Sequence, residues 1–210
     1  MTNRNVRINR MNIAVFCSSN ELDEKYTQPA RELAKRLAEG GHTMLYGGSD
    51  YGLMRIMADG MQEGGAKIVG ITIPAYSKYA RKNADEMVIT KTLGERKAVI
   101  LERSEVIVMM VGGLGTLDEA TEILELKKQN HHNKPVIILN TDGFYDGLKI
   151  QLERMHREGF LKMGEQVGVK AKTLGQFVQF VETVDEVMKI IGEVHNGQPE
   201  MQVSSATKRS

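Results

Sequence analysis

Along most of the chain, short apolar runs rich in β-branched residues stop at glycine- or serine-rich turns, and each turn opens a longer stretch with helical spacing. A strand that passes through a tight turn into a helix, and then into another strand, makes a βαβ unit. Repeated, such units give a mostly parallel sheet with helices on its faces, because the crossover is right-handed and must pack back over the sheet. The expected fold class is α/β: a Rossmann-like, doubly wound, mostly parallel sheet flanked by helices in a single domain.

Strands are predicted at residues 12–17, 42–46, 67–73, 106–110 and 135–139, with shorter candidates at 87–90 and 177–181. Helices are predicted at 26–39, 52–63, 93–103, 116–129, 146–158 and 183–191. Gly40-Gly41 and Gly64-Gly65 supply the usual C-terminal stop for the first two. Residues 74–85 read as a loop. Residues 1–10 and 193–210 are polar without a repeated apolar face and read as flexible tails around a domain at 11–192. A chain of 210 residues suits one such domain.

Charge removes several function classes. Lys and Arg total 28 against 27 Asp and Glu, a formal charge of +1, so no global field exists to hold a nucleic-acid backbone or an anionic membrane. Neither is expected as a partner, and any phosphate must be bound locally. No apolar run approaches the ~20 residues of a membrane span, and the run at residues 13–17 is too short for a signal-peptide core, so the expected compartment is the cytoplasm. Cys17 is the sole cysteine, which forbids an internal disulfide and a multi-thiolate metal site. Its apolar neighbours mark it as a small buried side chain. His131 and His132 are adjacent and should diverge. Neither a metal nor a cofactor is expected.

In a doubly wound sheet whose five long strands run 3-2-1-4-5, ligands sit beyond the carboxyl ends of the strands where the order reverses. That topology gathers three small loops: Ser18-Ser19-Asn20, Gly47-Gly48-Ser49, and the turn from Val111 to Gly115. Ser18, Gly47 and Gly48 are therefore candidate ligand-binding residues. Gly112-Gly113-Leu114-Gly115-Thr116 lies between a buried strand and a long helix, where main-chain amides and a helix N-terminus converge on an anion. Its glycines let a phosphate approach the backbone, and Thr116 adds a hydroxyl. The spacing matches neither the dinucleotide fingerprint nor the Walker pattern, which weighs against NAD binding and ATP hydrolysis.

Two charged groups have competing readings. Thr116-Leu117-Asp118-Glu119 fits a capping box in which Glu119 merely returns to the Thr116 amide, and spacing alone favours that role. Yet Asp118, Glu119 and Glu122 crowd together beside an expected anion site, where phosphate would repel them, and a carboxylate near a ribose could stabilise a cation. Glu95-Arg96-Lys97 reads on spacing as a solvated helix start. Alternatively Arg96 faces the cradle and pairs with phosphate or with Glu119.

The run Val111-Gly112-Gly113-Leu114-Gly115-Thr116-Leu117-Asp118-Glu119, with Arg96-Lys97 upstream, resembles the P-G-G-x-G-T-x-x-E and Arg-Lys signatures of the Lonely-guy (LOG) family, cytokinin riboside 5′-monophosphate phosphoribohydrolases once described as lysine decarboxylases. Further matches at Val15-Phe16-Cys17-Ser18-Ser19, Tyr46-Gly47-Gly48, Gly52-Leu53-Met54, Lys134-Pro135, residues 140–145 and Glu158-Gly159-Phe160 extend the resemblance over residues 11–192. It implies hydrolysis of the N-glycosidic bond of a cytokinin or purine nucleoside 5′-monophosphate to free base and ribose 5-phosphate. It also implies catalytic roles for Arg96 and Glu119, substrate or phosphate contacts from Lys97, Gly112, Gly113, Gly115 and Thr116, and a homodimer. Carboxylate chemistry agrees, since breaking a ribosyl C–N bond builds positive charge on the sugar. Val111 in place of proline, Ser49 in place of a third glycine, Arg55, and Leu93-Gly94 depart from the family pattern. All but the first fall around the expected base pocket, so they bear on which base is accepted. A mononucleotide-binding protein without turnover is the competing reading. A pyridoxal-phosphate decarboxylase is a third, although Lys97 and Lys134 lack a pyridinium-binding signature.

Overall fold

Strands whose two faces are both covered read as near-continuous apolar runs, and this chain has several. The structure, a computed structural model, describes residues 10–161 and 173–195. Among them, β1 (Asn12–Phe16), β2 (Thr43–Tyr46), β3 (Ile68–Thr72), β4 (Glu86–Ile89), β5 (Val106–Met109), β6 (Val136–Leu139) and β7 (Gln179–Val181) form one sheet in the order β4-β3-β2-β1-β5-β6-β7. Every pairing is parallel. The five long strands stand in the expected 3-2-1-4-5 order, and the two short candidates take opposite edges. The tails expected at 1–10 and 193–210 fall almost entirely outside the described residues.

Side-chain alternation along the strands divides the core. Ile13, Val15 and Cys17 of the β1 segment join a cluster with Leu33 and Leu37 of α1 (Glu24–Glu39), Leu53 and Met57 of α2 (Gly52–Glu63), and Val187 of α7 (Val184–His195). Ala14 and Phe16 face the other way, toward Ile100 of α3 (Leu93–Arg103), Ile123 of α4 (Leu114–Lys128) and Leu152 of α5 (Asp146–Arg157). The helices thus cover both faces, as a doubly wound sheet requires.

Three of the differences from the expected elements have a clear local reason. The strand expected at 177–181 begins only at Gln179: Thr173 accepts from the Gln176 amide while the Gln176 side chain accepts from the Thr173 amide, and this capping box makes α6 (Leu174–Phe177). Pro74 opens a 3₁₀ turn over Pro74–Tyr79 within the expected loop, since its fixed φ suits a first helical position. Helix α4 starts at Leu114, ahead of Thr116, with bare Gly113 at its N-cap.

β1 hydrogen-bonds to β2 on one side and β5 on the other, so the connections leaving it and β5 part company here. The crevice is pinned by main-chain bonds. Ser18 N–H donates to Val111 O at 3.0 Å, tying the ends of β1 and β5, and Met54 N–H donates to Ser18 O at 3.2 Å, tying α2 to both.

Candidate active site

The loop after β2 begins with a glycine for a steric reason. A Cβ on Gly47 would stand 2.6 Å from Arg96 Nη2, so the missing side chain lets the guanidinium cross the end of the strand. Arg96 lies in the first turn of α3, capped by Thr92, whose hydroxyl accepts from Glu95 N–H. Glu95 itself turns back to accept from Lys91 N–H, while Arg96 and Lys97 go inward and are buried. The solvated reading of the charged triplet therefore holds for Glu95 alone. Arg96 Nε donates to Ile71 O at 2.9 Å, and Nη2 lies 2.7 Å from Glu119 Oε1.

Because α4 begins at Leu114, Glu119 sits in the second turn, beyond reach of a capping box, and its carboxylate faces Arg96. The capping role favoured by spacing is set aside. Burial pushes the Glu119 carboxyl above its ordinary value, while the charge and hydrogen bond of Arg96 pull it back. The Cys17 thiol is driven far up, first by burial and then by the Glu119 charge, so it stays protonated and is no nucleophile. The two other acidic residues are also accounted for. Lys97 Nζ lies 2.9 Å from Asp118 Oδ2 and also pairs with Glu122.

The glycine turn divides into two functions. A Cβ on Gly112 would fall 2.2 Å from Thr116 Oγ1, so this glycine seats the Thr116 side chain. At Gly113 and Gly115 an added Cβ would meet nothing within 4 Å. Space therefore opens over them, and among the described residues the N-cap position of α4 supplies no side-chain cap. Gly48, at φ +77°, packs under Met87, where a Cβ would lie 3.1 Å from Sδ. The Ser18 hydroxyl accepts from Asn20 N–H.

Of the residues nominated from sequence, all except Gly48 and Gly112 line a single cavity of about 650 Å³: Ser18, Gly47, Arg96, Lys97, Gly113, Gly115, Thr116 and Glu119. Of the departures from the family pattern, Ser49 and Leu93 also line it. Arg55 and Gly94 do not, and Arg55 pairs with Glu21 at 3.0 Å. Val111 in place of proline leaves the turn intact, since its carbonyl holds Ser18. Sequence reasoning missed the aromatic part of the wall, formed by Tyr51, Tyr76 and Tyr79. The available signal was compositional: three of the six tyrosines fall between residues 51 and 79 in a chain that is 5% aromatic. Among the described residues, no group of three or more His, Cys, Asp or Glu is placed to hold a metal, and no helix is long and apolar enough to cross a membrane.

An all-parallel sheet with helices on both faces, carrying a buried arginine–glutamate pair and a bare glycine-capped helix start at its switch point, defines a Rossmann-like α/β protein with its site in the usual crevice. Residues 54–189 match the model of the family described as "Possible lysine decarboxylase". The chain belongs to this family, the LOG family. It is 31% identical over 175 residues to the cytokinin riboside 5′-monophosphate phosphoribohydrolase LOG2 of Arabidopsis thaliana, covering 81% of this chain and 82% of the relative. To the probable phosphoribohydrolase LOG6 of the same plant it is 32% identical over 180 residues, covering 83% and 89%. Among solved structures, the molybdenum cofactor binding protein of Rippkaea orientalis superposes with a TM-score of 0.66 at 20% identity, covering 89% of this chain and 98% of that one. The Moco carrier protein of Chlamydomonas reinhardtii gives 0.66 at 21%, covering 90% and 99%. At such identity these two speak to the fold.

Proposed function

We propose that this chain is a nucleoside 5′-monophosphate phosphoribohydrolase, which uses water to break the N-glycosidic bond and releases free base and ribose 5-phosphate. The names of its curated relatives support the reaction. The observation that carries the reading in this molecule is Glu119, buried and held at 2.7 Å by Arg96 inside the cavity that the glycine turn enters.

As the C1′–N bond lengthens, positive charge grows on the ribose, and a fixed carboxylate stabilises it without having to reorganise. Glu119 does this in its ionised form and accepts the proton of the water that attacks C1′, while the bonding pair leaves with the base, which takes up a proton in turn so that Glu119 returns to its ionised form. Arg96, anchored on Ile71 O, aims the carboxylate. The 5′-phosphate binds at the uncapped amides over Gly113 and Gly115 with the Thr116 hydroxyl, so a remote group positions the reacting carbon. Lys97 partly offsets the negative charge of Asp118 and Glu122 at this wall, which would otherwise repel the phosphate. The chain works as a homodimer, which accords with the exposed side chains of Leu114, Ile150 and Phe160, and in the cytoplasm, which accords with its balanced charge and lone buried thiol. Light scattering on the purified chain tests the first.

A decarboxylase, as the family description has it, needs a lysine amine able to form an imine with pyridoxal phosphate. Lys97, the lysine lining the cavity, has its amine held by Asp118 and Glu122, and the Lys134 amine donates to the carbonyls of Leu101 and Glu102. The residues do not fit that cofactor. Incubating the chain with AMP and following adenine by chromatography tests the hydrolase. Binding without release across several nucleoside monophosphates would instead favour a mononucleotide-binding protein.

A further inference from the structure

Residues 140–145 join β6 to α5 and do not line the cavity, yet a side chain of this link reaches the strand end from which the glycine turn departs. Asp142 and Gly143 stand at φ +55° and +67°, so the chain reverses within a 3₁₀ turn over Thr141–Gly143. Buried Asn140 holds the reversed segment in place. Its Oδ1 accepts from Tyr145 N–H at 2.7 Å, and its Nδ2 donates to Asp146 Oδ1 at 2.8 Å and to Glu182 Oε1 at 3.2 Å. Tyr145 is thereby fixed, with its ring buried.

Two carbonyls at the end of β5 decide how the glycine turn leaves the sheet. The β5–β6 register closes with Met109 opposite Ile138, and one residue further on a side chain takes the place of the ladder: Tyr145 Oη donates to Met110 O at 2.9 Å. The next carbonyl, Val111 O, is held from the β1 side by Ser18 N–H. In a trans peptide the C=O and N–H point opposite ways, so drawing Val111 O toward Ser18 turns the Gly112 amide away from it. Burial pushes the Tyr145 phenol up, and the Gly112 amide pulls it back, which puts that amide beside the phenol oxygen.

The entrance to the turn is therefore gripped from three directions. Ser18 fixes one peptide, Tyr145 fixes the one before it, and the Thr116 side chain fills the space where Gly112 has no Cβ. Adjacent glycines lose more backbone freedom on ordering than other residues, so a loose Gly112-Gly113 pair would charge that loss to ligand binding. Setting the first peptide planes beforehand removes part of the cost and aims the amides that follow.

We infer that Tyr145 is a positioning residue of the anion site: its hydroxyl, placed by Asn140, sets the peptide planes entering the glycine turn and so the direction of the amides that receive a 5′-phosphate. It acts on the backbone alone, and its influence is the same whatever base the nucleotide carries. This rests on the phosphoribohydrolase reading for the placement of phosphate at that turn.

Calorimetric titration of the full chain with ribose 5-phosphate, below the melting temperature of every variant, tests the role. Tyr145→Phe keeps the ring and should weaken ribose 5-phosphate about three- to tenfold, the worth of one hydrogen bond. In the Glu119→Gln background it should weaken AMP by the same factor. Ile191→Val trims the core on the other face of the sheet, and should lower the melting temperature by about 2–4 °C while leaving ribose 5-phosphate affinity unchanged. Unchanged affinity in Tyr145→Phe, an equal loss in Ile191→Val, or a native chain that does not bind ribose 5-phosphate would each overturn the proposal. If adenine is released from AMP by the native chain and Tyr145→Phe binds normally, the hydrolase reading stands without it. If Tyr145→Phe shows the expected loss yet the native chain releases no adenine, the positioning role stands and the hydrolase reading fails.

Discussion

Arg96 Nη2 meets Glu119 Oε1 at 2.7 Å with only 10% and 6% of the two side chains exposed. At that depth the attraction between the charges is largely offset by the cost of removing both from water, so the pair adds little net stability, while losing one partner strands the other. Its value lies in placing a carboxylate at a defined point of the cavity.

Arg96→Ala should therefore lower unfolding stability by about 3–5 kcal/mol, measured by urea denaturation. Adding Glu119→Gln to that variant should recover much of the loss, because no buried charge is then left unpaired. Additive losses in the double variant would show that Arg96 matters through packing and its bond to Ile71.

Glu119→Gln alone should keep the fold and AMP affinity within a few-fold, yet lose at least ~100-fold in adenine release followed by chromatography. It removes charge and almost no volume. Full turnover would return Glu119 to a structural role.

The Glu119 carboxyl is raised above 4.5 by burial, with Arg96 opposing. On the proposed mechanism, in which Glu119 acts ionised, kcat/KM should fall with acid around a midpoint above 4.5, and the residual rate of Glu119→Gln should lack that limb. Stability carries the opposite sign. A raised carboxyl contributes fully below its unfolded value, and that contribution fades as pH rises through the folded one. Thermal melts of native chain and Glu119→Gln should diverge in favour of the variant across that interval.

Two adjacent glycines should respond differently to the same substitution. Gly112→Ala collides with Thr116 and should destabilise the chain by about 1–3 kcal/mol. Gly113→Ala meets open space and should leave the melting temperature nearly unchanged while weakening ribose 5-phosphate binding in calorimetry. Equal melting temperatures for the two would contradict the division of roles within the turn.

The Tyr46 hydroxyl is buried and finds no hydrogen-bond partner among the described residues. Tyr46→Phe removes a desolvated polar group without changing shape, and should stabilise the chain by about 1 kcal/mol, a few degrees by calorimetry. A drop of that size would reveal a bond to the hydroxyl.

Local spacing carried much of the fold because backbone periodicity is a short-range property. The glycines and capping residues around α2 and α3 place those helices at the bounds their sequences suggest, and the strands are legible because both faces are buried. The start of α4 was harder to read. Spacing suggests a side-chain cap at Thr116, whereas the helix uses bare Gly113 and thereby leaves its amides uncovered.

The glycine turn and the three loops of the crevice could be named from the linear chain, because strand order follows from right-handed crossovers. Whether Arg96 faced water or Glu119, and whether Gly47 touched ligand or made way for a guanidinium, depended on contacts between segments far apart in sequence. The tyrosine wall of the cavity is of the same kind: it exists because Arg81 and the Ser49–Ala80 bridge fasten two loops that no local pattern relates. Periodicity reports which face of an element is apolar. Packing of the crossovers settles which polar groups then meet above the sheet.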